Sequence, residues 1–140
     1  TRIKILKQLK MYDTSIDTNG NLLSSTIFAL KSLRNSVAHN NIIFDARFKD
    51  RKVSTILKRW TENETGINNI TLYSLIDYII VICCILKRIS FSKERSKTLL
   101  RKYAEETKKL QNNVTPEIYN IIIQQNVPEK IQGLKEYINR

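Results

Sequence analysis

The sequence predicts an all-α fold, arranged as a single helical bundle over residues 1–140. The chain has 140 residues, a length typical of one domain with one hydrophobic core. Only 3 residues are glycine and 2 are proline, which disfavours β architectures, because these use glycine and proline in their many turns. Apolar residues recur at the spacing that forms one face of an α-helix.

The N-terminal part predicts two helices. Residues 2–11 form a short basic amphipathic helix, which the turn-forming segment 17–21 ends. A second helix covers residues 22–38. We interpret its apolar stripe as the side that faces the core, formed by Leu23, Ile27, Leu30, Leu33 and Val37.

The middle of the chain predicts a connection and a third helix. Residues 40–50 have no helical period, so we interpret them as a loop or an extended connection. A third helix is indicated by Val53, Ile56, Leu57 and Trp60. Residues 61–69 are polar and contain Gly66, which predicts a turn.

A long apolar helix is predicted over residues 71–89. Its uninterrupted apolar run, residues 78–86, is too short to cross a bilayer, which needs about 20 apolar residues, and Asp77 precedes it. We therefore expect the central helix of a bundle and no membrane span. Cys83 and Cys84 lie in this run, and we interpret them as small buried residues of a protein from a reducing compartment.

Three more helices follow from their start signals. Ser92 is a suitable N-cap for a helix over residues 93–111. The segment at 115–117 places threonine, proline and glutamate where helix N-termini favour them, and residues 126–130 repeat this pattern. The apolar face of the helix at 93–111 consists of Leu99, Leu100, Tyr103, Thr107 and Leu110.

The chain is strongly basic, with 24 lysine and arginine residues against 13 acidic ones and a net charge of +11. Such a charge favours a polyanionic partner, of which nucleic acid is the most common, while an anionic membrane surface or simple solubility are the alternatives. The excess is concentrated at residues 47–59 and 87–109. From these zones we predict RNA-binding side chains at Arg47, Arg51, Lys52, Arg88 and Arg95.

Most enzyme signatures are absent from the sequence. There is no phosphate-binding GxxxxGK[ST] loop and no glycine-rich dinucleotide loop. One histidine and two adjacent cysteines cannot form a zinc site, and the acidic residues show no two-metal cluster. We therefore expect no metal and no cofactor.

Arg34, Asn35 and His39 are the candidate catalytic residues. In a straight helix Asn35 and His39 share a face, whereas Arg34 and His39 diverge by about 140°. The two can address one ligand if the helix ends or bends near His39, or if each faces a cleft between two copies of the domain. The alternative is that His39 caps a helix end and Arg34 is only a solvated side chain.

These three residue types could together cleave RNA without a metal. A ribose 2′-hydroxyl would attack the adjacent phosphate while histidine transfers protons near neutral pH. Arginine would stabilise the charge that develops on the phosphate oxygens, and asparagine would orient the imidazole or bind a phosphate oxygen.

The segment around these residues resembles a known signature. Residues 33–40, LRNSVAHN, are similar to the R-N-x-x-x-H motif of HEPN-domain ribonucleases. The wider context resembles the bacterial Abi-like, or abortive-infection, branch of that superfamily. The two similar segments are LKSLRNSVAHNNIIFDARF and, after a polar insert, TGINNITLYSLIDYIIVICCILKRI. The resemblance covers roughly residues 22–90.

The resemblance implies a HEPN-like bundle that acts as a homodimer, in which two motifs meet in one cleft. It implies a metal-independent endoribonuclease of phage defence or toxin–antitoxin systems in the bacterial cytoplasm, inhibited in some members by an antitoxin RNA or protein. Arg34, Asn35 and His39 match the motif, whereas Asn40 stands where many relatives have a second histidine. Because relatives are commonly longer, we expect this chain to be the C-terminal part of a longer protein.

Two other functions remain open at the level of sequence. One is a non-catalytic module that binds RNA or an antitoxin through the same basic faces. The other is a purely structural dimerisation domain.

Overall fold

The computed structural model describes residues 1–38 and 54–140, and the chain is all-α within these ranges, as predicted. The described residues contain no strand. The helices are α1 (Arg2–Gln8), α2 (Asn21–Ala38), α3 (Thr55–Thr65), α4 (Leu75–Arg88), α5 (Lys93–Asn113), α6 (Pro116–Ile122) and α7 (Val127–Asn139). The all-α class is thus confirmed, whereas the HEPN-like assignment within that class stays a prediction.

Helix α4 is the centre of the bundle, as its apolar sequence predicts. It packs against α2, α3, α5 and α7. Because partners surround it, most of its length is buried, including Ile76, Tyr78, Ile79, Ile80, Val81, Cys83 and Cys84. None of the helices in the described ranges is long and apolar enough to cross a membrane.

A buried ion pair joins α4 to α7. Lys130 Nζ lies 2.6 Å from Asp77 Oδ1, and only 2% and 0% of these two side chains are exposed. Lys130 also donates to the carbonyl of Asn69, at 2.9 Å. The second oxygen of Asp77 accepts from the backbone N–H groups of Thr71 and Leu72, at 3.0 and 2.9 Å. These bonds explain why α4 begins at Leu75 and not at residue 71, since the preceding backbone is bonded to the Asp77 side chain instead.

The start signals of α5 and α6 are confirmed, and that of α7 is confirmed in its proline and glutamate but not in its cap. Ser92 caps α5 by accepting a hydrogen bond from the Glu94 N–H, at 3.2 Å. Thr115 caps α6 by accepting from the Ile118 N–H, and Pro116 is the first residue of that helix. Helix α7 begins at Val127, although its N-cap side chain makes no capping bond. The predicted face of α5 is buried or half-buried throughout, at Leu99, Leu100, Tyr103, Thr107 and Leu110.

The predicted turn at residues 61–69 is wrong in its first half, because α3 continues to Thr65. The hydroxyls of Thr61 and Thr65 donate to the carbonyls of Leu57 and Thr61, both at 2.8 Å, so these polar side chains are satisfied inside the helix. Gly66 ends α3 with a left-handed φ of 76°. The predicted connection at 40–50 lies outside the described residues.

Helix α2 is rotated relative to the prediction, although Leu23 and Leu33 of the predicted stripe are half-buried and pack against the core. Its buried side consists of smaller or polar residues together with one leucine: Leu22, Thr26, Ala29, Ser32 and Ser36. Ile27 and Val37, from the predicted core stripe, are 58% and 52% exposed. Thr26 and Ser36 are buried at low cost because their hydroxyls donate to carbonyls one turn earlier, at 2.8 and 3.1 Å. Small side chains on this face also allow neighbouring helices to approach closely.

The two cysteines are buried and free of disulfides, which confirms their interpretation as small core residues. Burial raises the pKa of the Cys83 thiol to about 11. Burial also raises the pKa of the Cys84 thiol far above its ordinary value. Neither thiol is therefore suited to act as a nucleophile at neutral pH.

Candidate functional site

Arg34 and Asn35 lie near the end of the described part of α2, which packs against α1, α3 and α4. The buried side chains Ser32 and Ser36 flank this pair in sequence and fix the orientation of the helix. Arg34 consequently faces outwards and is exposed, and Asn35 is half-buried. The arginine that the sequence assigns to catalysis is thus accessible to a ligand.

The Arg34 guanidinium is held by its neighbour. Arg34 Nη1 donates to Asn35 Oδ1 at 3.0 Å. This bond uses one of the five guanidinium N–H donors, so several remain available to the oxygens of a phosphate. The amide of Asn35 therefore contacts the arginine, whereas the sequence led us to expect that it would orient the imidazole or bind a phosphate oxygen.

His39 lies outside the described residues, as do Arg47, Arg51 and Lys52. The described part of α2 reaches Ala38. The predicted break or bend of the helix near His39 therefore stays a prediction.

An exposed apolar patch accompanies Arg34 and Asn35 on α2. Ile27 and Phe28 are 58% and 52% exposed. Residues seven apart on a helix lie about two turns from each other and on nearly the same side. Ile27 therefore shares its side of α2 with Arg34, and Phe28 shares its side with Asn35. We refer to Ile27, Phe28, Arg34 and Asn35 as the outer face of α2.

The other two described RNA-binding candidates differ from each other. Arg88, at the end of α4, forms an ion pair with Glu64 and is half-buried. Glu64 also accepts a hydrogen bond from the Tyr137 hydroxyl, at 2.7 Å. Arg88 thus has its charge largely neutralised within the fold. Arg95 is exposed in the first turns of α5, with its guanidinium 5.6 Å from the centre of the Phe91 ring.

The two basic zones are not joined by direct packing of the described helices. The described part of the first zone lies on α3 and the second lies mainly on α5, and these two helices make no contact. Helix α5 also makes no contact with α2. The described helices therefore do not form one continuous groove from Arg34 to Arg95 by packing alone.

One further concavity could not be predicted from the sequence. A cavity of about 390 Å³ lies between the segment 10–16, α3 and α4, and its walls include Trp60, Asn63, Glu64 and Arg88. Three separate segments contribute to it, so no local motif could have predicted it. In the part of the chain that the structure describes, no three His, Cys, Asp or Glu side chains are arranged to hold a metal ion.

These features define a class, a strongly basic all-α bundle with an exposed arginine on a partly apolar helix face. Comparison with known proteins adds no more specific name. No family model matches the sequence, and no curated protein or solved structure matches the chain.

Proposed function

We propose that the protein is a metal-independent endoribonuclease of HEPN type, whose site consists of Arg34, Asn35 and His39 and is completed by a second copy of the chain. The observation that carries this proposal is the exposed outer face of α2, on which Arg34 shares the helix surface with the exposed side chains of Ile27 and Phe28. A homodimer formed on this face would explain both features at once, since it would cover Ile27 and Phe28 and bring two Arg34 side chains close together.

The proposed reaction needs only the chain and its RNA. The ribose 2′-oxygen attacks the adjacent phosphorus, and the bond from phosphorus to the 5′-oxygen breaks. One His39 accepts the proton of the 2′-hydroxyl, and the second His39 of the dimer donates a proton to the departing 5′-oxygen. Arg34 stabilises the additional negative charge on the phosphate oxygens. The products are a 2′,3′-cyclic phosphate and a 5′-hydroxyl.

Asn35 has a positioning role in this scheme. Its Oδ1 accepts from Arg34 Nη1 at 3.0 Å, which restricts the rotation of a long and otherwise exposed side chain. A guanidinium that is already oriented loses less conformational entropy when it binds phosphate. We propose that this activity belongs to phage defence or a toxin–antitoxin system in the bacterial cytoplasm, with an antitoxin RNA or protein as inhibitor.

The second candidate function is a non-catalytic module that binds RNA or an antitoxin. The observation that favours it is the set of exposed cations on α5, which does not depend on His39: Arg95, Lys97, Arg101, Lys102, Lys108 and Lys109. Such a module would bind RNA in a salt-dependent manner and leave it intact.

One experiment separates the two functions. Labelled RNA is incubated with the protein and with His39→Ala, in the presence of EDTA, and both binding and cleavage are followed. Cleavage by the unaltered protein that His39→Ala abolishes supports the ribonuclease. Equal, salt-sensitive binding by both proteins without any cleavage supports the binding module and contradicts the ribonuclease.

A further inference from the structure

Helices α5 and α7 leave an open groove on the surface of the bundle, with a volume of about 560 Å³. Its floor is apolar and comes from both helices, with Leu100 and Ala104 on α5 and Ile131 on α7. Its rim carries three cations, which are Lys97, Arg101 and Lys135. Among the residues that the structure describes, no acidic side chain lines the groove, so cations surround an apolar floor.

The rim cations remain available to a ligand. Lys97 pairs with Glu94 at 3.0 Å and Arg101 pairs with Glu105 at 3.9 Å. Both pairs are exposed on the surface of α5, where an ion pair contributes about 0–1 kcal/mol and is easily exchanged. Lys135 forms no ion pair with any described residue.

We propose that this groove binds an acidic amphipathic helix of a partner protein. The stretch of α5 from Lys97 to Ala104 and the stretch of α7 from Ile131 to Asn139 each cover about two helical turns, or roughly 10 Å. A partner helix with apolar side chains at every third or fourth position presents one apolar side chain per turn, and these side chains can pack along the floor of the groove. Its glutamates or aspartates, on the flanks of the apolar stripe, then face the three rim cations.

Ala104 makes this geometry possible. It is half-buried at the groove, and its methyl group leaves room where a longer side chain would project into the space between α5 and α7. Small residues at a helix contact allow the axes to approach more closely.

RNA fits this groove less well than an acidic helix does. Phosphates would satisfy the cations but leave the apolar floor in contact with water. None of the described residues that line the groove is aromatic, whereas stacking of bases on aromatic rings supplies much of the affinity in single-strand binding. The surface lies on α5 and α7, apart from the outer face of α2, so the proposal is independent of the proposed ribonuclease activity.

The test uses the full chain, labelled with ¹⁵N, and a synthetic acidic amphipathic helical peptide of about four turns. The peptide has leucines along one face and glutamates on both sides of them, and two matched peptides replace either the leucines by serine or the glutamates by lysine. We expect the acidic peptide to shift the amide resonances of Leu100, Ala104, Ile131 and Lys135, and the two matched peptides to bind at least about tenfold more weakly.

Substitutions in and outside the groove test whether the acidic peptide binds there. Ala104→Arg fills the groove and Lys135→Glu reverses one rim charge, and each should weaken binding of the acidic peptide by about tenfold or more. Lys102→Glu reverses an exposed charge of α5 that does not line the groove, and it should have little effect. Circular dichroism confirms that each variant is folded.

Several outcomes contradict the proposal. They are no binding of the acidic peptide, equal binding of the serine peptide, and an equal loss in Lys102→Glu and Lys135→Glu. A single-stranded RNA that shifts the groove resonances while the acidic peptide does not would assign the surface to RNA instead.

Discussion

Lys130 and Asp77 form an ion pair of 2.6 Å in the interior of the bundle, between α7 and α4. The pair lies 53 positions apart in the sequence, so it connects two helices that no local signal relates. It also supports the connection before α4, because Lys130 bonds the carbonyl of Asn69 and Asp77 bonds the N–H groups of Thr71 and Leu72.

We predict that removing one partner of this pair strongly destabilises the fold. Asp77→Asn leaves a buried ammonium without its counter-charge, and Lys130→Met leaves a buried carboxylate without its cation. Each change should lower the free energy of unfolding by about 3–5 kcal/mol, as measured by urea denaturation. The double variant Asp77→Asn/Lys130→Met removes both charges and should lose less than the sum of the two single changes. Strictly additive losses would contradict the pairing.

A second prediction concerns Gly66, whose φ of 76° ends α3. A Cβ at this position would touch no other atom within 4 Å, so the cost of substitution comes from the backbone conformation alone. Gly66→Ala should lower the free energy of unfolding by about 1 kcal/mol. Gly66→Asn should cost less, since asparagine tolerates the left-handed region better. If Gly66→Ala and the unaltered protein had the same free energy of unfolding, residue 66 would not adopt the left-handed conformation at the end of α3.

A third prediction concerns the alkaline stability of the fold. Burial raises the pKa of Cys83 from 9.0 to about 11. As pH rises through this window, the thiol of the unfolded chain loses its proton first, so the folded state binds more protons and its stability falls. Urea denaturation at several pH values should show a shallower decline for Cys83→Ala than for the unaltered protein. Identical slopes would indicate that Cys83 titrates normally in the folded state.

A fourth prediction tests the outer face of α2 as a homodimer contact. Ile27→Glu and Phe28→Glu place charges on side chains that are more than half exposed, so the monomer should remain folded while the dimer dissociates. Light scattering after size exclusion measures the mass. The control is Ile121→Glu on α6, where the isoleucine is 83% exposed and lies on another helix. A monomeric unaltered protein, or a dimer that survives both α2 changes, contradicts this interface.

Local signals were sufficient to predict the helices of the C-terminal half. The caps at Ser92 and Thr115 act on the first turn of their own helices, so the residues beside them contain all the information that is needed. The central position of α4 was equally predictable, because a helix with apolar residues around its circumference has to be surrounded by others.

The orientation of α2 could not be predicted from its sequence. Apolar residues occur on two sides of this helix, and a hydrophobic pattern alone selects the larger ones, such as Ile27 and Val37. The protein instead buries Ala29, Ser32 and Ser36, because hydroxyls can bond the preceding turn and small side chains permit close packing. This choice depends on neighbouring helices that are distant in sequence.

The candidate site was predictable in part. The sequence pattern placed Arg34 and Asn35 near the end of α2, where Arg34 is exposed, but it did not predict the bond between them. The neutralisation of Arg88 was not predictable, because Glu64 and Tyr137, which form its surroundings, come from two other helices. A count of basic residues in a segment cannot distinguish a paired arginine from an exposed one.

Cleavage of a labelled RNA in EDTA by the unaltered protein, Arg34→Ala, His39→Ala and the control Lys4→Ala tests the proposed ribonuclease most directly. We expect products with 2′,3′-cyclic phosphate ends from the unaltered protein and from Lys4→Ala, which changes an exposed side chain of α1 that has no role in the proposed site. The rate should fall at least about 100-fold in Arg34→Ala and in His39→Ala, because one loses the charge stabilisation and the other the proton transfer. RNA that the unaltered protein leaves intact, or that Arg34→Ala and His39→Ala cleave at the unaltered rate, would contradict the proposed ribonuclease.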